Sequence, residues 1–185
     1  MRDVYKLPDD LPVPIDDGAC DHLKGMRFPN QSLPSTSGGV VNFTTLNGIV
    51  VCYFYPMIGD PESLPGEDWN LIPGARGCTP QSCAFRDNFK VFKESDVQIF
   101  GVSSQETTDQ LEAKKRLQLP FDLISDSSFS LCHALKLPTF DYQAKPYIKR
   151  LTIIAVDGVI EKVLYPVFPS YSDSSEILAW LSKKA

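Results

Sequence analysis

The rhythm of apolar and polar positions changes along this chain, and the changes mark its elements. Ile49-Val50-Val51-Cys52-Tyr53-Phe54-Tyr55 is apolar at nearly every position and stops at Pro56. That pattern predicts a central strand covered on both faces, with Cys52 in the core. Val97 to Ser103 predicts a second buried strand, and Phe121 to Ile124 a third. Cys83, Phe85, Phe89 and Phe92 recur at helical spacing, so a helix is expected from Cys78 to about Glu94. A further helix is expected over Gln105 to Leu119, with Leu111, Leu117 and the Lys114-Lys115-Arg116 run as a solvated amphipathic face. Ser127 to Leu135 predicts a short one holding Cys132 and His133. Arg150 to Val156 and Val159 to Tyr165 flank Asp157-Gly158, a hairpin signal. Ser172 to Lys183 closes the chain as a helix with Ile177, Leu178, Trp180 and Leu181 inward. Strands alternating with helices, then a hairpin and a helix, give an α/β domain with a mixed central sheet flanked by helices.

The remaining stretches are less regular. Residues up to about 28 are rich in Pro, Asp and Gly, with a short helix expected to end at His22-Leu23-Lys24-Gly25 and Cys20 as a bystander thiol. Residues 1–27 therefore read as an N-terminal extension and 28–185 as one domain, a length sufficient to bury a core. Ser32-Leu33-Pro34 and Val40-Val41-Asn42-Phe43 flank Ser37-Gly38-Gly39, another hairpin signal. Pro138 to Pro146 reads as a loop. Met57 to Gly74 is a loop long enough to suggest a functional lid, with Trp69 placed either to cover a pocket or to pack the loop onto the body.

Composition narrows the function. Hydrophobic residues at 43% and charged residues at 22% are ordinary globular values. A net charge of -5 argues against a nucleic-acid partner. No apolar core of a secretory signal is seen in Met1 to Asp10, and Ile49 to Tyr55 is too short to span a bilayer. Five cysteines, an odd number, do not fit a fully paired secreted framework, so a reducing cytoplasm is expected.

The chemistry concentrates in Pro73 to Phe89. Its first half is Gly- and Pro-rich loop and its second half helix, with Pro80 tolerated because it falls in the opening turn. Cys78 thus sits where a glycine-flanked loop becomes a helix N-terminus. Unpaired N–H groups and the positive end of the helix dipole favour a thiolate there. Arg76 adds a cation two residues away. An ordinary small residue at a helix start is the competing reading, but a structural cysteine more often lies in an apolar run. The C-x4-C spacing to Cys83 does not match zinc knuckles, and with only His22 and His133 elsewhere no metal is expected.

Taken together, Phe28-Pro29, Val51-Cys52-Tyr53-Phe54-Tyr55-Pro56, Gly77-Cys78-Thr79 through Cys83, Phe85-Arg86-Asp87, Ile124-Ser125-Asp126 and Lys149-Arg150 resemble, in order, the phrases of the peroxiredoxins, the Q-type or bacterioferritin-comigratory branch above all. The resemblance implies a thioredoxin-like fold and a thiol peroxidase that needs no cofactor. Cys78 matches the peroxidatic residue, which attacks a peroxide to give sulfenic acid, and Cys83 matches the resolving position, with Cys132 as the other candidate. Arg150 matches an arginine that holds the thiolate and the developing oxygen charge, and the N–H groups of Gly77 and Cys78 would be fixed donors. The implied partners are hydrogen peroxide or an organic hydroperoxide and a thioredoxin- or glutaredoxin-like reductant, with the protein a monomer or weak dimer. A disulfide-forming sensor and a binding module with little turnover are the alternatives. Departures from the family pattern are Ala75, where a Thr or Ser hydroxyl is usual, Leu71 in place of a proline that Pro56 could supply, Gln81 where Glu is common, and Arg76 for a neutral residue.

Overall fold

The structure is a computed structural model and describes residues 6–184. In chain order its elements are β1 (Leu33–Pro34), β2 (Val40–Val41), β3 (Ile49–Phe54), α1 (Cys78–Asp87), α2 (Phe89–Glu94), β4 (Val97–Ser103), α3 (Thr107–Leu117), β5 (Asp122–Ser125), α4 (Ser130–Ala134), β6 (Thr139–Tyr142), β7 (Lys145–Ile148), β8 (Leu151–Val156), β9 (Val159–Leu164) and α5 (Ser172–Lys184). Five strands form the central mixed sheet in the order β5-β4-β3-β8-β9, with β3, β4 and β5 parallel and β8 antiparallel to both of its neighbours. The α/β reading and the central place of β3 hold.

Alternation along β3 explains why its sequence is apolar throughout. Val50, Cys52 and Phe54 point into one core, where Cys20, Leu23 and Phe28 of the N-terminal segment and Leu131 and Cys132 of α4 cover the sheet. Val51, Tyr53 and Tyr55 point into the other, under Phe85, Phe92, Ala113, Leu117, Ile177 and Leu181 of the other four helices. Successive side chains of a strand face opposite ways, so a strand covered twice has no polar face left. Tyr53 is the joint between the sheet and α1. It lies opposite Gly101 of β4, where an added Cβ would come within 2.6 Å of its ring. Its ring stacks on Phe85 at 4.5 Å, and its hydroxyl donates to Ser82 Oγ at 3.0 Å. Both partners lie on α1, so the helix carrying Cys78 is fastened to the central strand.

Several boundaries differ from the sequence pattern. The helix expected to run from Cys78 to Glu94 is two helices, interrupted at Asn88. The Asn88 amide donates to the Ala84 carbonyl at 3.1 Å, a local bond that competes with helix continuation. His22 to Gly25 forms turns rather than a helix. Leu178 and Trp180 of α5 are only half-buried, while Ile177 and Leu181 point inward as expected. The stretch read as a loop, 138–146, is largely a hairpin of β6 and β7. Its two-residue turn is Gln143-Ala144, both with positive φ, and neither is a residue that announces such a turn. That hairpin anchors the long 57–74 loop. Trp69, 3% exposed, packs against Phe140, Tyr142 and Tyr147. The Tyr142 hydroxyl donates to Asp68 at 2.9 Å and accepts from the Gly66 N–H at 3.2 Å.

Candidate active site

Gly77 makes the turn from loop to helix. Its φ is +112°, and a Cβ there would lie 2.7 Å from the Cβ of Ser170, so neither the backbone nor the space admits another residue easily. Cys78 follows as the first residue of α1 and is 3% exposed. Its sulfur contacts the Ala75 carbonyl at 3.6 Å. Pro80 is the third helical residue, where it interrupts no helical bond.

Arg150 arrives from the other direction. It precedes β8, whose first residue Leu151 pairs with Phe54 at the end of β3. The guanidinium therefore rises at the same end of the sheet as the α1 N-terminus, though the two are 72 residues apart in sequence. Arg150 is 3% exposed and places Nη2 3.2 Å from Cys78 Sγ. The same nitrogen faces the carbonyls of Gly74, Ala75 and Arg76 at 3.2, 3.3 and 3.3 Å. Nη1 donates to Gln81 Oε1. A buried cation held by four oxygens and a sulfur is fixed in direction.

Cys78 opens into a small cavity of about 20 Å³ lined by Met57, Leu64 and Trp69 from the long loop and by Ala75, Arg76 and Thr79. That volume accepts little more than one water-sized group. Trp69 packs the loop onto the body and lines the pocket. Arg76 lines the pocket and meets Arg150 through its carbonyl. Ala75 is fully buried against the cluster that holds Trp69 and Tyr142, so a methyl stands where the family pattern has a hydroxyl.

Cys83 is half-buried on α1, on the same side of the sheet as Cys78, and burial pushes its thiol up. Cys132 is in the opposite core, where burial pushes its thiol up to about 12, and its sulfur contacts the Leu137 carbonyl at 3.7 Å. All five thiols are free. Among the described residues no group of His, Cys, Asp or Glu comes together that could hold a metal.

One residue of the site escaped the sequence reading. Asp173, in the first turn of α5, is fully buried and accepts from Gln81 Nε2 and Thr152 Oγ1, both at 2.7 Å. Burial raises its pKa from 3.8 to about 6, against the lowering effect of those bonds and of Arg150. A signal was available: Asp173 precedes Ile177 by four residues and Leu181 by eight, which places it on the inward face.

Fold and site together define a thioredoxin-like protein with a cysteine at a helix start beneath a buried arginine. The AhpC/TSA family pattern matches residues 70–163. Peroxiredoxin Bcp of Escherichia coli is 30% identical over 162 residues, 85% of this chain and 94% of that protein. Chloroplastic peroxiredoxin Q of rice is 36% identical over 104 residues, 56% of this chain, and the match spans 41% of the rice protein's length. Among solved structures, peroxidoxin BcpB of Mycobacterium tuberculosis superposes with a TM-score of 0.72 at 23% identity, covering 88% of this chain and 98% of that one. Peroxiredoxin Q of Xanthomonas campestris gives 0.67 at 20%, covering 94% and 98%. The chain belongs to the AhpC/TSA family, among relatives of the peroxiredoxin Q and Bcp kind.

Proposed function

We propose that the protein is a thiol peroxidase in which Cys78 reduces hydrogen peroxide or an organic hydroperoxide. The observation that carries this reading is the Arg150 Nη2 placed 3.2 Å from Cys78 Sγ at the start of α1. The thiolate attacks the terminal oxygen of the peroxide and the O–O bond breaks. Cys78 becomes a sulfenic acid, and the departing oxygen takes up a proton to leave as water or an alcohol. Arg150 stabilises negative charge first on sulfur and then on the oxygens. Cys83 then attacks the Cys78 sulfur and water leaves, closing a disulfide. Cys83 is preferred to Cys132 because it shares a helix and a side of the sheet with Cys78.

Two electrons must return from a dithiol, a thioredoxin- or glutaredoxin-like protein, by thiol–disulfide exchange. Five cysteines, an odd number, suit a reducing compartment such as the cytoplasm. Among the described residues no helix is long and apolar enough to cross a membrane. A monomer or weak dimer is the assembly this reading carries. The test is Cys78→Ser, expected to abolish peroxide consumption with the fold intact; normal turnover by that variant refutes the assignment. A second reading, a redox sensor or binding module with little turnover, is favoured by the methyl of Ala75 in place of a hydroxyl. Stopped-flow oxidation of the reduced protein separates the peroxidase from the binding module: a slow reaction supports the module.

A further inference from the structure

Asp173 is bonded unlike a residue that merely starts a helix. Of its three bonding partners only one, the Ser174 N–H at 2.9 Å, belongs to its own helix. The other two cross to α1 and β8, through Gln81 and Thr152. A carboxylate with no exposed surface is costly to retain unless such partners hold it. Gln81 is also fully buried, and its amide is polar at both ends: Nε2 faces Asp173 Oδ2 and Oε1 faces Arg150 Nη1. The reversed amide would set oxygen against carboxylate and NH₂ against guanidinium. The carboxylate therefore decides which way the amide points, and the amide decides what Arg150 meets on the side away from the sulfur.

We propose that Asp173 is a positioning residue for Cys78, fixing the Gln81 amide and, through it, the Arg150 guanidinium against the sulfur. The role rests on reading Cys78 as the reacting thiol. It also makes Asp173 the counter-charge that tempers the pull of Arg150 on the thiolate. The titratable and charged groups that act on this carboxylate's surroundings are Arg150, ahead of β8, and Tyr53 of β3.

The experiment is a thiolate absorbance titration of reduced protein, taken as the difference from Cys78→Ser so that only Cys78 contributes. Burial pushes the other four thiols up, Cys20 and Cys132 to about 12, which keeps them out of the lower range. Asp173→Asn keeps an oxygen acceptor and removes the charge opposing Arg150. It is expected to give about tenfold more Cys78 thiolate at pH values above about 6, where Asp173 is charged, and below the midpoint. Adding Gln81→Glu to Asp173→Asn exchanges carboxylate and amide and is expected to return the titration toward wild type. A purely structural role predicts no such rescue. An unmoved titration in Asp173→Asn, or a shift that Gln81→Glu leaves uncorrected, overturns the proposal. Should Asp173→Asn fail to fold, Gln81→Met decides: with the amide that holds Arg150 gone, the Cys78 titration is expected to move up by about one pH unit, and an unmoved titration overturns the role. The titration uses no peroxide, so a wild-type thiol inert to peroxide would sink the peroxidase reading and still leave Asp173 to be judged.

Discussion

Closing a Cys78–Cys83 disulfide requires α1 to come apart at its start, and the structure says what that costs. Both cysteines belong to one continuous helix, Cys78–Asp87. Residues five apart on a helix point about 140° apart with α-carbons about 8–9 Å from each other. A disulfide tolerates about 7 Å. Uncoiling residues 78–82 breaks the Gln81 bonds to Asp173 and Arg150 and the Tyr53–Ser82 bond. With two of the three bonds to ionic partners, the loss is about 4–7 kcal/mol. Freeing five backbone residues returns about 5–10 kcal/mol of conformational entropy. The helix's backbone bonds, such as Gln81 N–H to the Gly77 carbonyl, and the burial of Cys78, Thr79 and Ser82 add to the loss and keep the turn closed in the reduced protein. The entropy returned offsets enough of it for a covalent bond to hold the turn open. Phe85, stacked on Tyr53 and fully buried, should stop the unwinding.

Hydrogen exchange on reduced and oxidised protein is the assay. Amides of Gln81 to Ala84 are expected to exchange about a hundredfold faster after oxidation, equivalent to about 3 kcal/mol of lost protection. Residues 58–72 should keep their protection. Their anchors are Gln105 on Ile58, Arg116 on Gly59 and Tyr142 on Asp68, none of them on α1. Cys83→Ser treated with peroxide should show no change, since the sulfenic acid alone does not pull on the turn. Equal protection in both forms, with Cys78–Cys83 confirmed by mass mapping, would refute the reasoning. A mapped Cys78–Cys132 bond would do so as well, because it joins residues from opposite sides of the sheet.

Three other outcomes are expected. Arg150→Met leaves the sulfur and four oxygens without their cation, so the Cys78 thiolate titration should move up by about one to three pH units and oxidation should slow about a hundredfold or more. Ala75→Ser adds one hydroxyl beside the small cavity at Cys78 and should speed oxidation about tenfold if the missing hydroxyl limits the reaction; an unchanged or slower rate in stopped flow rejects that limit. Asp173, its pKa raised from 3.8 to about 6, binds a proton in the folded protein that the unfolded chain has already released across that range. Its contribution is therefore most favourable below about pH 4 and is lost as pH rises through 6, about 3 kcal/mol in all, so urea unfolding should show wild type losing stability relative to Asp173→Asn over that window. The opposite slope would refute it.

What could be read in advance follows from where the information resides. The periodicity of β3 and the loop-to-helix passage at Cys78 are local facts, so the central strand and the thiol's position were legible from neighbouring residues. Arg150 was legible only by resemblance, because antiparallel pairing of β8 with β3 brings it beneath a cysteine 72 residues earlier, and spacing alone carries no trace of that. The β6–β7 hairpin was missed because Gln143-Ala144 adopts a turn that its side chains do not favour, so tertiary contacts with Trp69 must help to hold it. Asp173 was hidden differently. An acidic residue at a helix start is so well explained by the helix dipole that nothing prompts a second explanation. Its bonds to Gln81 and Thr152 tie it to α1 and β8, which the dipole does not account for. The negative charge facing Arg150 comes from α5, while the position on α1 beside the arginine carries the neutral amide of Gln81. A buried charge balance can thus be met from a distant helix, which is why a motif written around the cysteine alone describes only half of this site.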